Sequence, residues 1–182
     1  PVRFCGGAMS CNPGSDALGD VDRLDEPPLE LLPRAGIYTI VILVESDLEF
    51  RSASLGAVTI KKGCYAYTGS ALGQGPLSLR GRLSRHLRRT KKLKWHIDYL
   101  TSNSSVRVEG VVASVAGKAF ECMVASHLNG LASYVEGFGC SDCRCPSHLA
   151  LLPFPHADAC LRLVEAVYRE LGLTPISLVV GR

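Results

Sequence analysis

Two groups of side chains in this 182-residue chain have the types and spacing for chemistry. Arg82 and His86 stand four residues apart in the segment Leu77 to Arg89, where Leu79, Leu83 and Leu87 also recur every fourth residue. That spacing predicts a helix with one apolar stripe. It places the guanidinium and the imidazole together on one edge of the stripe, half-buried and oriented. A guanidinium held this way presents a fixed fork of donors to phosphate oxygens. An imidazole is poised near neutrality and can move a proton. The second group is Cys140-x-x-Cys143-x-Cys145-x-x-His148. Three thiols and one imidazole are ligand types for tetrahedral Zn²⁺, and their crowding would make a compact knuckle. A plainer reading is a turn in which Ser141, Asp142 and His148 hydrogen-bond locally. A third has His148 and Asp142 lining a groove.

Charge is segregated. The net charge is only +3, yet Phe50 to Ile97 holds eleven Lys and Arg and no Asp or Glu, leaving nine cations and seventeen anions elsewhere. An acidic body with a basic insert makes a local positive field that draws a polyanion, nucleic acid first. Arg85, Arg88 and Arg89 face away from the leucine stripe. With Arg80, Lys91, Lys92 and Lys94 they form the expected grip on a phosphate backbone. The plainer alternative is a solvated basic surface with no partner.

These groups need elements to hold them. Gly36 to Val44 is rich in β-branched residues and predicts a buried strand. Leu48 to Ser52, Ala57 to Ile60 and Cys64 to Thr68 predict shorter strands in an antiparallel meander. Gly69 to Pro76 is a Gly-rich loop ahead of the Arg82 helix. Trp95 to Leu100 predicts a short helix with Trp95 in the core and Asp98 capping or on the surface. His96 and Asp98 point to different sides of it. Val106 to Val115 predicts a strand. Lys118 to Leu128 predicts a helix with Phe120, Met123, Val124 and Leu128 inward and Glu121 on the edge of that face. Asp158 to Leu171 predicts an amphipathic helix capped by Gly172.

The order of these motifs resembles the GIY-YIG nuclease superfamily. Gly36-Ile37-Tyr38 matches its first motif. Tyr67-Thr68-Gly69 stands at the second, with Thr in the middle position. Arg82-Leu-Ser-Arg-His86 resembles its Arg helix, and Glu121 its metal-binding Glu. More narrowly, the chain is similar to an uncharacterised branch found in archaea and bacteria, sometimes fused to an endonuclease III-like domain. That likeness rests on Tyr67-Thr-Gly-Ser-Ala71, Arg82 to Arg88, Trp95-His-Ile-Asp-Tyr-Leu100 and Gly137 to Leu149, and covers about Ala35 to Phe154. The resemblance implies metal-dependent hydrolysis of phosphodiester bonds, in DNA rather than RNA. It implies Mg²⁺ or Mn²⁺ on Glu121, Arg82 bracing the phosphate, and Tyr67 positioning a water or phosphate. Tyr38 is then a candidate general base, provided its pKa falls from about 10. His86 is the competing base. Without the resemblance, Tyr38 and Tyr67 are ordinary strand aromatics, and Glu121 complements a helix dipole.

The expected fold is therefore α/β (α+β), a small twisted antiparallel sheet flanked by helices. Residues 1–34 would form a partly flexible leader in which Leu29 to Leu32 dock. Residues 35–155 would form the nuclease-like domain, and residues 156–182 a helix and tail packed on it. No apolar run reaches the ~20 residues of a membrane span, and residues 1–20 lack a secretory signal pattern. Eight scattered or clustered cysteines fit reduced thiols in an intracellular, cytoplasmic protein better than a secreted disulfide scaffold. The rival expectations are a non-catalytic nucleic-acid-binding module and a zinc-stabilised interaction domain.

Overall fold

The computed structural model describes residues 28–180. Most of the expected leader lies outside the described residues. Its end makes a 3-10 turn at Leu29–Leu31, and Leu29 and Leu32 are buried on the body as expected.

β1 (Gly36–Val44) is the central strand. It pairs antiparallel with β4 (Gly63–Ala71) on one side and β5 (Val106–Ser114) on the other. Its β-branched run suits a strand covered on both faces. Tyr38, Ile40, Ile42 and Val44 enter one core, and Ile37 and Val41 enter the other. The full sheet is antiparallel, in the order β6-β7-β4-β1-β5-β8, where β6 is Ser133–Tyr134, β7 Leu149–Leu151 and β8 Ile176–Val179. β2 (Leu48–Ser52) and β3 (Gly56–Ile60) form a separate two-stranded hairpin. This corrects the expected meander: β1 pairs directly with β4, and the hairpin is an excursion between them.

Helices cover both faces. α1 (Leu79–Leu87) and α2 (His96–Thr101) lie on the Tyr38 face. The stripe behaves as its spacing predicts, with Leu79 and Leu83 fully buried and Leu87 partly so. Ser78 caps α1 by accepting from the Gly81 N–H at 3.2 Å. α3 (Ala119–Leu131) and α4 (Ala157–Glu170) cover the opposite face. Cys160, Leu161, Val164, Val167 and Tyr168 fill the inward side of α4, and Gly172 takes the left-handed conformation just beyond it. Val124 and Leu128 point inward on α3 as expected, but Met123 is 45% exposed. The apolar arc of α3 is narrower than the sequence suggested.

Candidate functional site

The N-terminal half of β1 and the C-terminal half of β4 run side by side, pairing Tyr38 with Gly69 and Ile40 with Tyr67. Gly69 is required here. A Cβ at this position would sit 2.6 Å from the Tyr38 hydroxyl, so only glycine lets the phenol lie across β4. Tyr38 then reaches α1, where its hydroxyl is 2.7 Å from Nε2 of His86. Tyr67 meets the same imidazole edge-on at 6.1 Å and packs on Phe138 at 6.0 Å. Arg82, one turn before His86, lies over the Trp95 ring at 5.2 Å, and its buried Nε has no hydrogen-bond partner among the described residues. Glu121 arrives from the other face, in the first turn of α3. Its carboxylate accepts from the Ser70 hydroxyl at 2.6 Å.

Tyr38, Tyr67, Arg82, His86 and Glu121 therefore line one open cleft of about 470 Å³. The cleft also takes Ser54 from the β2–β3 turn, Lys94, Trp95 and His96 from the start of α2, Lys118 beside Glu121, and Gly139 and Asp142 from the 135–148 loop. Sequence inspection missed Ser70 as a partner of Glu121, although it stands inside the Tyr67 to Ala71 motif. It named His96 but gave it no place in the site, yet its Nδ1 accepts from the Gly139 N–H at 3.0 Å. That leaves Nε2 as the protonated nitrogen of the neutral ring, donating to Ser54. His96 thus ties the hairpin tip to the 135–148 loop across the cleft.

The electrostatics revise the roles of the two candidate bases. Burial drives the Tyr38 pKa up, and the neighbouring Arg82 guanidinium offsets only part of this. The fall that a Tyr38 base requires is not what its surroundings provide. Burial, reinforced by Lys91 and Arg82, pushes His86 down to about 3, so its imidazole is neutral and resists protonation. The ring is wholly enclosed rather than half-buried. Burial would raise the Glu121 pKa, but contacts from His148 and Ser70 outweigh it and hold the carboxyl below its usual range. Glu121 is ionised.

The basic segment divides into two classes. Arg88 and Lys92 are exposed, and Lys94 is exposed on the cleft rim. Arg80 is exposed and meets Glu30 at 3.5 Å. Arg89 donates to the carbonyls of Asn103 and Ser104 at the end of α2. Arg85 and Lys91 depart from expectation. Arg85 is not a free outward cation: it pairs at 2.6 Å with Asp98, which is completely buried, and donates to the Lys92 carbonyl. Asp98 also accepts from the N–H groups of Lys94 and Trp95, both at 2.9 Å, and so caps α2 as expected. Trp95 is partly buried, stacked under Arg82, Arg85 and Lys94. Lys91 folds back onto the Arg85 and His86 carbonyls and the Thr101 hydroxyl.

The thiols regroup. Among the described residues, the ligand atoms of Cys122, Cys143, Cys145 and His148 lie within 4.8 Å of one another and could hold a metal ion. Cys140 is not one of them. Its thiol turns to the Phe138 carbonyl at 3.4 Å, because Phe138 is drawn into the core. The first turn of α3 supplies Cys122 in the place expected of Cys140. No single helix among the described residues is long and apolar enough to cross a membrane.

A family model described as a domain of unknown function, DUF123, matches residues 37–172. No curated protein and no solved structure matches the chain.

Proposed function

The chain belongs to the DUF123 family, and we propose that it is a metal-dependent endonuclease that hydrolyses phosphodiester bonds in DNA. The observation that carries this is convergence. Tyr38, Tyr67, Arg82, His86 and Glu121 come from β1, β4, α1 and α3, yet all five face one cleft. The same five positions carry the GIY-YIG resemblance. The adjoining rim presents Lys94, and Arg88 and Lys92 are exposed nearby in sequence.

The cleft is chemically suited to phosphoryl oxygens. Arg82 lies over Trp95 and lines the cleft, so its guanidinium would meet developing charge on a phosphate there. Glu121 is ionised and shares its wall with Asp142. One or two carboxylate oxygens fit a hydrated Mg²⁺ or Mn²⁺, which retains most of its waters. Such an ion would polarise the phosphoryl group and ease departure of the leaving oxygen. Tyr38 stays protonated, and its hydroxyl, fixed 2.7 Å from Nε2 of neutral His86, would orient the attacking water. A metal-bound water is acidified by the ion and would release its proton to solvent. Tyr67 lies alongside and orients the water or the phosphate.

The test is incubation of labelled single-stranded, duplex and branched DNA with the protein and Mg²⁺ or Mn²⁺. The parent should cleave at least one substrate. Glu121→Ala and Tyr38→Phe should bind with parental salt sensitivity and not cleave. Metal-dependent cleavage by Glu121→Ala at the parental rate would remove Glu121 from the site. Salt-sensitive binding without cleavage in any divalent metal would leave the non-catalytic binding module as the better account.

A further inference from the structure

Three thiols and an imidazole meet where the first turn of α3 passes the 135–148 loop. The loop is anchored at both ends. The Gly137 N–H donates to the Pro146 carbonyl at 2.7 Å, and Asn129 donates to the Ser147 carbonyl at 2.8 Å. The His148 N–H donates to the Phe138 carbonyl at 2.8 Å. Gly139 adopts φ +79°, and a Cβ there would press on both His148 and Tyr67. These constraints hold the His148 ring with 3% exposure and fix which way each nitrogen points. Nε2 lies 3.3 Å from the Cys143 sulfur. Nδ1 lies 3.4 Å from Oε1 of Glu121, close enough for attraction, but it makes no formed hydrogen bond among the described residues.

We propose that Cys122, Cys143, Cys145 and Nε2 of His148 form a closed, four-coordinate zinc site, with Glu121 as the outer partner of the His148 ring. Zn–S bonds of about 2.3 Å and Zn–N bonds of about 2.0 Å give a tetrahedron with edges of roughly 3.5–3.8 Å. The four ligand atoms, all within 4.8 Å of one another, need only a small inward rotation of side chains to reach it. The Cys143–His148 edge, at 3.3 Å, is already slightly inside that length. Binding displaces the thiol protons to solvent and leaves three thiolates on the ion. A metal-bound imidazole characteristically gives its second N–H to a carboxylate, which is what Nδ1 faces here. With four protein ligands the ion has no open position, so its role is to hold structure.

The structure held is one wall of the cleft. The loop pinned by Cys143, Cys145 and His148 supplies Gly139 and Asp142 to it. The His148 contact also sets the carboxylate of Glu121, and only this last consequence rests on the endonuclease reading. Zinc would then support the site from behind, distinct from any catalytic Mg²⁺.

The experiment is metal analysis of the full chain, purified and kept reduced, followed by replacement of the metal with cobalt. One zinc per chain is expected. The cobalt form should show intense tetrahedral d–d bands and thiolate-to-cobalt charge transfer. Cys122→Ser and Cys143→Ser should weaken binding by tenfold or more in competition with a chromophoric chelator. Cys140→Ser should keep one zinc and the parental cobalt spectrum. If a ligand variant does not fold, the cobalt spectrum and chelator competition of the parent still decide. A reduced parent that takes up no zinc overturns the proposal, as does a weak octahedral cobalt spectrum without charge transfer. Loss of metal from Cys140→Ser with retention by Cys122→Ser overturns the ligand set in favour of the local knuckle. Cleavage does not enter these readouts. An inactive protein carrying one zinc would uphold the site while defeating the endonuclease reading.

Discussion

Arg85 offers a sharp test because its sequence context and its tertiary contacts assign it different work. By sequence it belongs to the phosphate grip. In the fold it neutralises Asp98, whose side chain has no exposure, while its own has 27%. Arg85→Ala would leave the Asp98 carboxylate buried with two backbone N–H donors and no counter-ion. Breaking a buried pair from one side costs about 3–5 kcal/mol. The surviving N–H bonds place this case near the lower figure, about 3 kcal/mol. With a urea m-value of about 2 kcal/mol per molar, the unfolding midpoint should fall by about 1.5 M. Arg85→Ala combined with Asp98→Ala should lose less than the sum of the single losses, since neither charge is then stranded. DNA binding should respond in the opposite sense. Arg85→Ala should leave the slope of log affinity against log salt unchanged. Arg88→Ala and Lys92→Ala should each reduce its magnitude by about 0.9, with stability changed by no more than about 0.5 kcal/mol. The reasoning fails if Arg85→Ala leaves the urea midpoint in place while lowering the salt slope as Arg88→Ala does.

Other expectations bear on the cleft. His86 is neutral in the fold, with its pKa pushed down to about 3, whereas an unfolded histidine titrates near 6.5. Between those values the unfolded chain binds a proton that the native chain refuses. Stability from this group is therefore full above about pH 6.5 and falls as pH drops toward 3. Urea midpoints measured across that window should depend less on pH in His86→Gln, and parallel profiles would contradict the enclosed, neutral ring. Gly69→Ala should cost about 1–3 kcal/mol, because its Cβ would overlap the Tyr38 hydroxyl at 2.6 Å. Thermal melts of this variant in a Tyr38→Leu background should recover most of that loss. An equal drop in both backgrounds would point to a cause other than the phenol.

The sequence by itself determined the elements and the inventory. The β-branched run of β1, the leucine stripe of α1 and the amphipathic α4 are local patterns that record which face is buried, and they were legible within a residue or two. The five cleft side chains were also nameable, because their types and order are local properties of the chain. Only the tertiary structure decided how they are used. β7 and β8 are short segments that pair through partners distant in sequence, Tyr67 with Leu149 and Val112 with Ser177. No local signal marks such pairings, and they set the order of the whole sheet. Cys122 displaces Cys140 because α3 packs beside a loop about twenty residues further along the chain. Arg85 leaves the surface because Asp98, on another helix, is buried beneath it. The pKa of Tyr38 rises and that of His86 falls because both are enclosed. Desolvation depends on everything packed around a group, and spacing along the chain carries no record of it.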